Sequence, residues 1–599
     1  MGRWRWFARA GLLAAIVVAA CGGDDDTPAA RPSSDGTESA ATATAGRKDS
    51  GGVPGGSTTT SDGRVFVADI GFRPTTNDYS FENFARDYPN TAPTLTVTEL
   101  RRMFGDAAVC VGGGQGSSCK LAPAAAQWMD ARNVSMNGGH CEGFAVTALR
   151  FYAGVGEQPG QFGAESVHAL KLEGNDPLLH HIAYFMATQW AQEVASITQE
   201  YQKLTPKEVL AELVKAMQGK DWMTLGIYAR QGGGHAITPY AVEDKGDGKY
   251  WILIYDNNYP NEERYVEVDT VANTWVYAGA ATNPDSRERG WEGDASTFSL
   301  DLTPLSVREL QYTCPWCGAQ AGGADKGQKK SVVFTGDGNV TVADKQGRKM
   351  VFQAGRLVKN EIPGALLGES RSRKDTMSDP PVLTLLLPEH EDFAMTIDGN
   401  GLKAGDASAS KERLYVFGQG KALAVKDFNV DPGETSVVKL GGEGGKFSFK
   451  AGGDEHPKVS MALDPVKGDD MEFELSGLDF SNDEEMDFSI DETTGKLSVK
   501  DTGGIGHDKF NLKVVRETAA GQQVVEKNDL DLGSNGTDTI DYDKLDEGGD
   551  LSIAEDEDSD GTPESTSTGS GRQTAGDQSH QPDAGPAPDA ADGMDDETD

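Results

Sequence analysis

The hydrophobic pattern changes period near Cys317, and that change limits the folds open to this chain. From about Val65 to Tyr312, helix patterns mix with strand patterns among abundant aromatic and aliphatic residues. Beyond Cys317 come short alternating runs such as Ser331-Val332-Val333-Phe334, Asn339-Val340-Thr341-Val342 and Pro381 through Leu387, parted by Gly, Asp and Asn turns. Apolar side chains at every second position line one face of a strand, and this spacing of turns predicts antiparallel β-sandwiches. A chain of 599 residues is too long for one core. The expected fold is therefore multidomain: an α+β domain over 63–320, a β-sandwich module over 325–405 and a second β-rich module over 406–545.

Both ends read differently. Arg3, Arg5 and Arg9 precede the apolar run Gly11 to Val18, which is too short to span a bilayer, and Val18-Ala19-Ala20-Cys21 follows. This resembles the signal peptide and lipobox of bacterial lipoproteins. The resemblance implies removal of residues 1–20, a lipid on Cys21, export and anchorage to a membrane, with Gly22 suggesting the outer membrane or cell surface. An ordinary signal peptide with a chance cysteine is the alternative. Residues 21–62 hold Gly, Ser, Thr, Ala and Asp with almost no large apolar side chains, which predicts a flexible stalk. Residues 546–599 predict an acidic, disordered tail. The net charge of −40 excludes a basic footprint for nucleic acid. Asp556-Glu557-Asp558-Ser559-Asp560-Gly561 resembles a calcium loop, but Ser567 stands where the distal Glu belongs. Neither a metal nor a cofactor is expected.

Of six cysteines, five remain once Cys21 is set aside. In an oxidising compartment Cys110 and Cys119, flanking a Gly/Ser loop, and Cys314 and Cys317, in a C-x-x-C, are expected to close local disulfides. A four-thiolate zinc knuckle is the competing arrangement. Cys141 is left over. It sits in Asn137-Gly138-Gly139-His140-Cys141-Glu142-Gly143-Phe144-Ala145, and Phe144, Ala145, Ala148, Leu149 and Tyr152 follow at helical spacing. The thiol thus falls at a helix N-terminus, whose partial positive charge favours thiolate. His140 would point away from its neighbour. His235, after Gly232-Gly233-Gly234, opens one strand, and Asp256 ends the next, Tyr250 to Tyr255, so a hairpin would make them neighbours.

Cysteine on a helix, His on a strand, then Asn or Asp after the following strand resembles the papain-like cysteine peptidases. The helix from Thr205, the strand near Leu225-Gly226-Ile227 and the Gly-Gly-His segment resemble the bacterial branch that processes double-glycine leader peptides. The resemblance covers roughly 180 residues. It implies a peptidase or amidase working on a peptide or protein amide, with Cys141 as nucleophile, His235 as base and Asp256 orienting it; Asn257 could take the place of Asp256. Family members usually carry Gln six residues before the nucleophile. Ser135 stands here, leaving Asn137 as the candidate oxyanion donor. A transglutaminase-like acyl transferase fits the same order, and so does a catalytically inactive binding or adhesion scaffold. The segment Val340 to Ala365 resembles sandwich modules appended to secreted bacterial proteins, which implies an extracellular partner for the β modules.

Overall fold

The computed structural model describes residues 57–85, 94–230, 233–277, 291–318, 328–353, 356–368, 371, 382–400, 411–442, 445–464, 469–502, 509–546, 550–569 and 571–574. The signal segment, Cys21, most of the stalk and residues 575–599 lie outside them. Among the described residues no helix is long and apolar enough to cross a membrane.

The chain folds as an α+β unit followed by a β-sandwich. Seven helices are used below: α1 (Val97–Phe104), α2 (Asp106–Val109), α3 (Pro123–Ser135), α4 (Cys141–Ala153), α5 (Asp176–Ala187), α6 (Gln192–Gln202) and α7 (Pro206–Gly219). The first sheet comprises β1 (Thr58–Thr59), β2 (Val65–Asp69), β3 (Met223–Tyr228), β4 (Gly234–Gly246), β5 (Lys249–Tyr255), β6 (Arg264–Asp269), β7 (Thr274–Tyr277), β8 (Glu292–Asp294) and β9 (Leu300–Pro304). Its spine is the long strand β4. On one side β4 pairs with β3 at its start and β2 further on, and on the other it pairs with β5. Helix α7 starts as its sequence predicts. Thr205 and Glu208 form a reciprocal capping box, Pro206 occupies the first turn, and Leu204 packs into the same core as Val209. Helix α4 lies close on α5. A methyl group on Gly143 would meet the Ile182 side chain at 2.9 Å as well as its carbonyl, so glycine is what lets the two helices approach.

The sandwich differs from two modules in series. Strand Lys329–Thr335 pairs with both Val382–Pro388 and Glu412–Gly418, and Phe393–Asp398 pairs with Thr435–Leu440, so both sheets run across the expected boundary near 405. Three successive units then extend both sheets. Each places one hairpin in one sheet and the next hairpin in the other. In the sheet that holds Lys329–Thr335, the hairpins are Glu412–Gly418 with Lys421–Phe428, Lys458–Leu463 with Asp470–Ser476, and Lys509–Thr518 with Gly521–Asp531. The opposite ones are Thr435–Leu440 with Lys446–Lys450, Glu485–Asp491 with Lys496–Asp501, and Thr537–Asp541 with Leu551–Asp556. Val438, Phe488 and Ile540 take equivalent buried places in a single core. An unpaired edge is the natural site for another hairpin, which is why one sandwich grows instead of a second closing on itself.

The tail expected over 546–599 is corrected as far as Thr574. Leu551–Asp556, Ser565–Gly569 and Arg572–Thr574 are strands of these sheets. Leu551 and Ile553 alternate with polar residues and are fully buried. Two apolar side chains suffice in acidic sequence because a preformed sheet supplies the backbone partners.

The α+β unit and the sandwich share a core. Trp128 of α3 belongs to one cluster with Val333, Tyr415, Phe417 and Ala424 of the sandwich. Arg132, fully buried, donates to Thr384 Oγ1 at 2.9 Å, and burial lowers its guanidinium to about 9. Tyr415 and Lys426 each reach Asp130 at 2.8 Å.

Burial pushes the carboxyls of Glu412, Asp470 and Asp538 up to about 8, 7 and 8. A folded-state value above the unfolded one means that stability is fully present below about pH 4 and is lost as pH rises through the folded value. Glu412→Gln is therefore expected to flatten the fall in stability between about pH 4 and pH 8, measured by urea unfolding across that range. Equal slopes in the two proteins would contradict the assignment.

Candidate active site around Cys141

Cys141 opens α4 and is wholly buried. The helix entrance is held by residues far upstream. Asn83 accepts the His140 N–H at 2.7 Å, and its own side-chain amide donates to Asn258 at 3.1 Å. His140 does not face the thiol. Its ring stacks on Phe84 at 4.2 Å and contacts the Phe84 carbonyl and Thr94 hydroxyl, while burial lowers it to about 4.

His235 lies at the start of β4, and Asp256 directly follows β5. The antiparallel hairpin brings them together as its register requires, with His235 Nε2 2.7 Å from Asp256 Oδ1. Ala236, next to His235, donates its N–H to Cys141 Sγ at 3.3 Å. Thus β4 binds the sulfur through its backbone, while His235 Nδ1, buried, makes no hydrogen bond among the described residues. The Asn257 side chain donates to the carbonyls of both Cys141 and Ala236, at 3.1 and 2.8 Å, locking helix to strand. This gives Asn257 a bracing contact distinct from that of Asp256.

Asp256 is buried, which favours its neutral form, yet the His235 charge and hydrogen bonds from His235, Tyr277 and the Asn258 N–H hold it below its ordinary value. His235 shows the reverse balance. Burial disfavours its charge, but Asp256 and then Cys141 raise it well above 6.5. That direction favours the charged imidazole.

Two other expected positions lie differently. Asn137 stands in the turn between α3 and α4, its N–H donating to the Val134 carbonyl. Among the described residues no hydrogen bond joins its side chain to Cys141. Ser135 turns back to the Ala131 carbonyl at 2.7 Å. The expected pairs Cys110–Cys119 and Cys314–Cys317 are disulfides, and Cys141 is the free thiol. The C-x-x-C buries Trp316 against Phe104 and Trp128 at 5.0 and 5.9 Å. The acidic run brings Asp556, Asp558 and Asp560 together with Glu564 in a surface turn.

Sequence reasoning missed what lies behind the sulfur. Glu142 is fully buried and ion-paired with Arg308, itself fully buried. Arg371, from a bridge beside Gly234, sends its guanidinium between Glu142 and Asp301 at 3.0 and 3.3 Å. Its carbonyl oxygen accepts from Cys141 Sγ at 3.0 Å, and its N–H donates to Gln189 Oε1 at 2.9 Å. The only sequence signal was the acid beside the cysteine, which reads equally as an exposed helix-start residue.

Comparison with protein-family models, with curated proteins and with solved structures finds no match.

Proposed function

We propose that this chain is a papain-like thiol hydrolase of peptide or protein amides. The carrying observation is the convergence of a helix-start thiol, an imidazole and a carboxylate. Ala236 N–H meets Cys141 Sγ at 3.3 Å while His235 Nε2 meets Asp256 at 2.7 Å. In this reading the Cys141 thiolate attacks the amide carbon, and His235 gives its proton to the departing amine. A water that yields its proton to His235 then resolves the thioester. Asp256 keeps Nε2 protonated and Nδ1 turned to the sulfur side. Acyl transfer to an amine would use the same first step.

The test is digestion of a mixed peptide library by the wild-type chain, by Cys141→Ala and by His235→Ala, with products read by mass spectrometry. Products from the wild type alone are expected. Equal products from Cys141→Ala, or none from the wild type, would remove the assignment. The second reading, an inactive binding scaffold, is favoured by the complete burial of Cys141.

The anchor belongs to the same proposal. A lipid on Cys21 would tether the enzyme to a bacterial membrane, outside the cytoplasm, with the sandwich free to meet an extracellular partner. Two or more acyl chains bind a bilayer stably where one does not. Cys21→Ala is expected to move the protein from the membrane pellet to the soluble fraction, and retention in the pellet would place the anchor elsewhere.

A further inference from the structure

The two oxygens of Asp256 are held by different parts of the sheet. Oδ1 accepts from His235 Nε2 at 2.7 Å and from the Asn258 N–H at 2.9 Å, so its donors belong to the β4–β5 hairpin and the loop after it. Oδ2 accepts from the Tyr277 hydroxyl, its one donor among the described residues. Tyr277 ends β7, which pairs with β6, and β6 pairs with β5. Two strand spacings, about 9–10 Å, separate β7 from β5. A tyrosine closes that gap where a serine or threonine hydroxyl would fall short.

The phenol is buried, and burial together with Asp256 holds its hydroxyl well above its ordinary value. Tyr277 is therefore a donor throughout the working range of pH. Its own N–H donates to the Trp291 carbonyl at 2.9 Å, and the Trp291 ring stands edge-on to His235 at 6.4 Å. The same end of the sheet thus touches both the carboxylate and the imidazole. The other titratable and charged groups facing this pair are Cys141 from α4, Tyr255 from β5 with Asp78 beside it, Arg264 from β6, and Tyr259. Arg264 is buried, lies 3.6 Å from the Tyr259 ring and donates to Glu262 at 2.7 Å. Its charge and that of Asp256 favour each other.

We propose that Tyr277 is a positioning residue of the site: its hydroxyl fixes the Asp256 carboxylate with Oδ1 toward His235, and through Asp256 it keeps the imidazole protonated for the departing amine. This rests on the hydrolase reading and adds a residue and a pH dependence to it. Tyr277 touches neither the sulfur nor the imidazole, so its effect passes through Asp256. Without the hydroxyl, Oδ2 is left buried with no donor, which favours a neutral carboxyl or one turned away from the ring. Either change weakens the counter-charge that raises His235, and the imidazole then releases its proton at lower pH.

The experiment compares the full-length wild type with Tyr277→Phe, which keeps the ring and removes the hydroxyl. The His235 titration, followed by NMR of its ring, is expected to move down by about 1 pH unit. The alkaline limb of the pH–rate profile, measured on one peptide drawn from the cleaved library, is expected to move with it. At fixed pH kcat should fall by about 10–100-fold with KM little changed. In the Asp256→Asn background the same substitution should add little, whereas a merely structural role would multiply in full. A His235 titration that stays in place, or losses that multiply in full, overturns this inference, and peptide cleavage by the wild type through Cys141 then leaves the hydrolase reading standing. A wild type that cuts no peptide removes both.

Discussion

Asp256→Asn is expected to lower the rate of amide cleavage by on the order of 10²–10⁴-fold while the protein stays folded. Asp256 Oδ1 accepts from His235 Nε2 at 2.7 Å and from the Asn258 N–H at 2.9 Å, and the other oxygen accepts from the Tyr277 hydroxyl. An amide can keep the first two bonds through its oxygen, and its NH2 group can donate to the Tyr277 hydroxyl only if that hydroxyl turns its own proton elsewhere. The imidazole loses both its counter-charge and the carboxylate that selects its tautomer. His235 now titrates well above 6.5, because Asp256 and Cys141 outweigh the burial that would lower it, and in the variant that value should fall.

The stability effect has a defined window. The raised imidazole contributes stability that is full below about pH 6.5 and is lost as pH rises through its folded value. The lowered Asp256 carboxyl contributes stability that is full above about pH 4 and is lost as pH falls through its folded value. The pair therefore stabilises most between those limits, and the wild type should exceed Asp256→Asn there. Selective 1H-13C NMR of the His235 ring and the pH–rate profile check this together. An unchanged His235 titration with an unchanged rate would show that Asp256 does not act on the ring.

The second large effect is on folding. Glu142→Gln is expected to cost about 3–5 kcal/mol, because it leaves Arg308 and Arg371 buried with Asp301 as their remaining carboxylate. Glu142 also accepts from the Thr224 hydroxyl at 3.2 Å, so the change disturbs β3 as well as α4. Urea unfolding followed by near-ultraviolet circular dichroism measures the loss. The double variant Glu142→Gln with Arg308→Met removes one charge of each sign and should recover part of it. Equal stability of Glu142→Gln and wild type would mean that water reaches the cavity and screens it. Gly143→Ala, one position on, should cost about 1–3 kcal/mol by the same assay, because the added methyl meets Ile182.

Local chemistry was legible where neighbours in sequence are neighbours in space. The capping box of α7 needs only Thr205 and Glu208, three residues apart. The hairpin of β4 and β5 follows from two alternating runs and a polar turn, and it delivered His235 beside Asp256 without help from elsewhere. The two disulfides close short loops, of nine and three residues' separation. The sandwich was legible as strands but not as one body. A period of two states which face of a strand is buried and is silent on which edge it joins, and so Lys329–Thr335 and Glu412–Gly418 were assigned to separate modules. In the same way Leu551 and Ile553 were too few to read as a strand until the sheet they extend was in view.

By itself, then, the sequence determined the helix that carries Cys141, the order of thiol, imidazole and carboxylate, and the strands of the second half, because each depends on contacts within a few residues or across a single turn. Only the tertiary structure decided that Glu142, Asp301, Arg308 and Arg371 share one buried cavity, and that the Arg371 carbonyl rests on the sulfur. A charged residue in sequence carries no sign of its burial, since burial is set by whichever segments close over it. Here Arg371 lies 230 residues from the nucleophile whose sulfur its carbonyl meets.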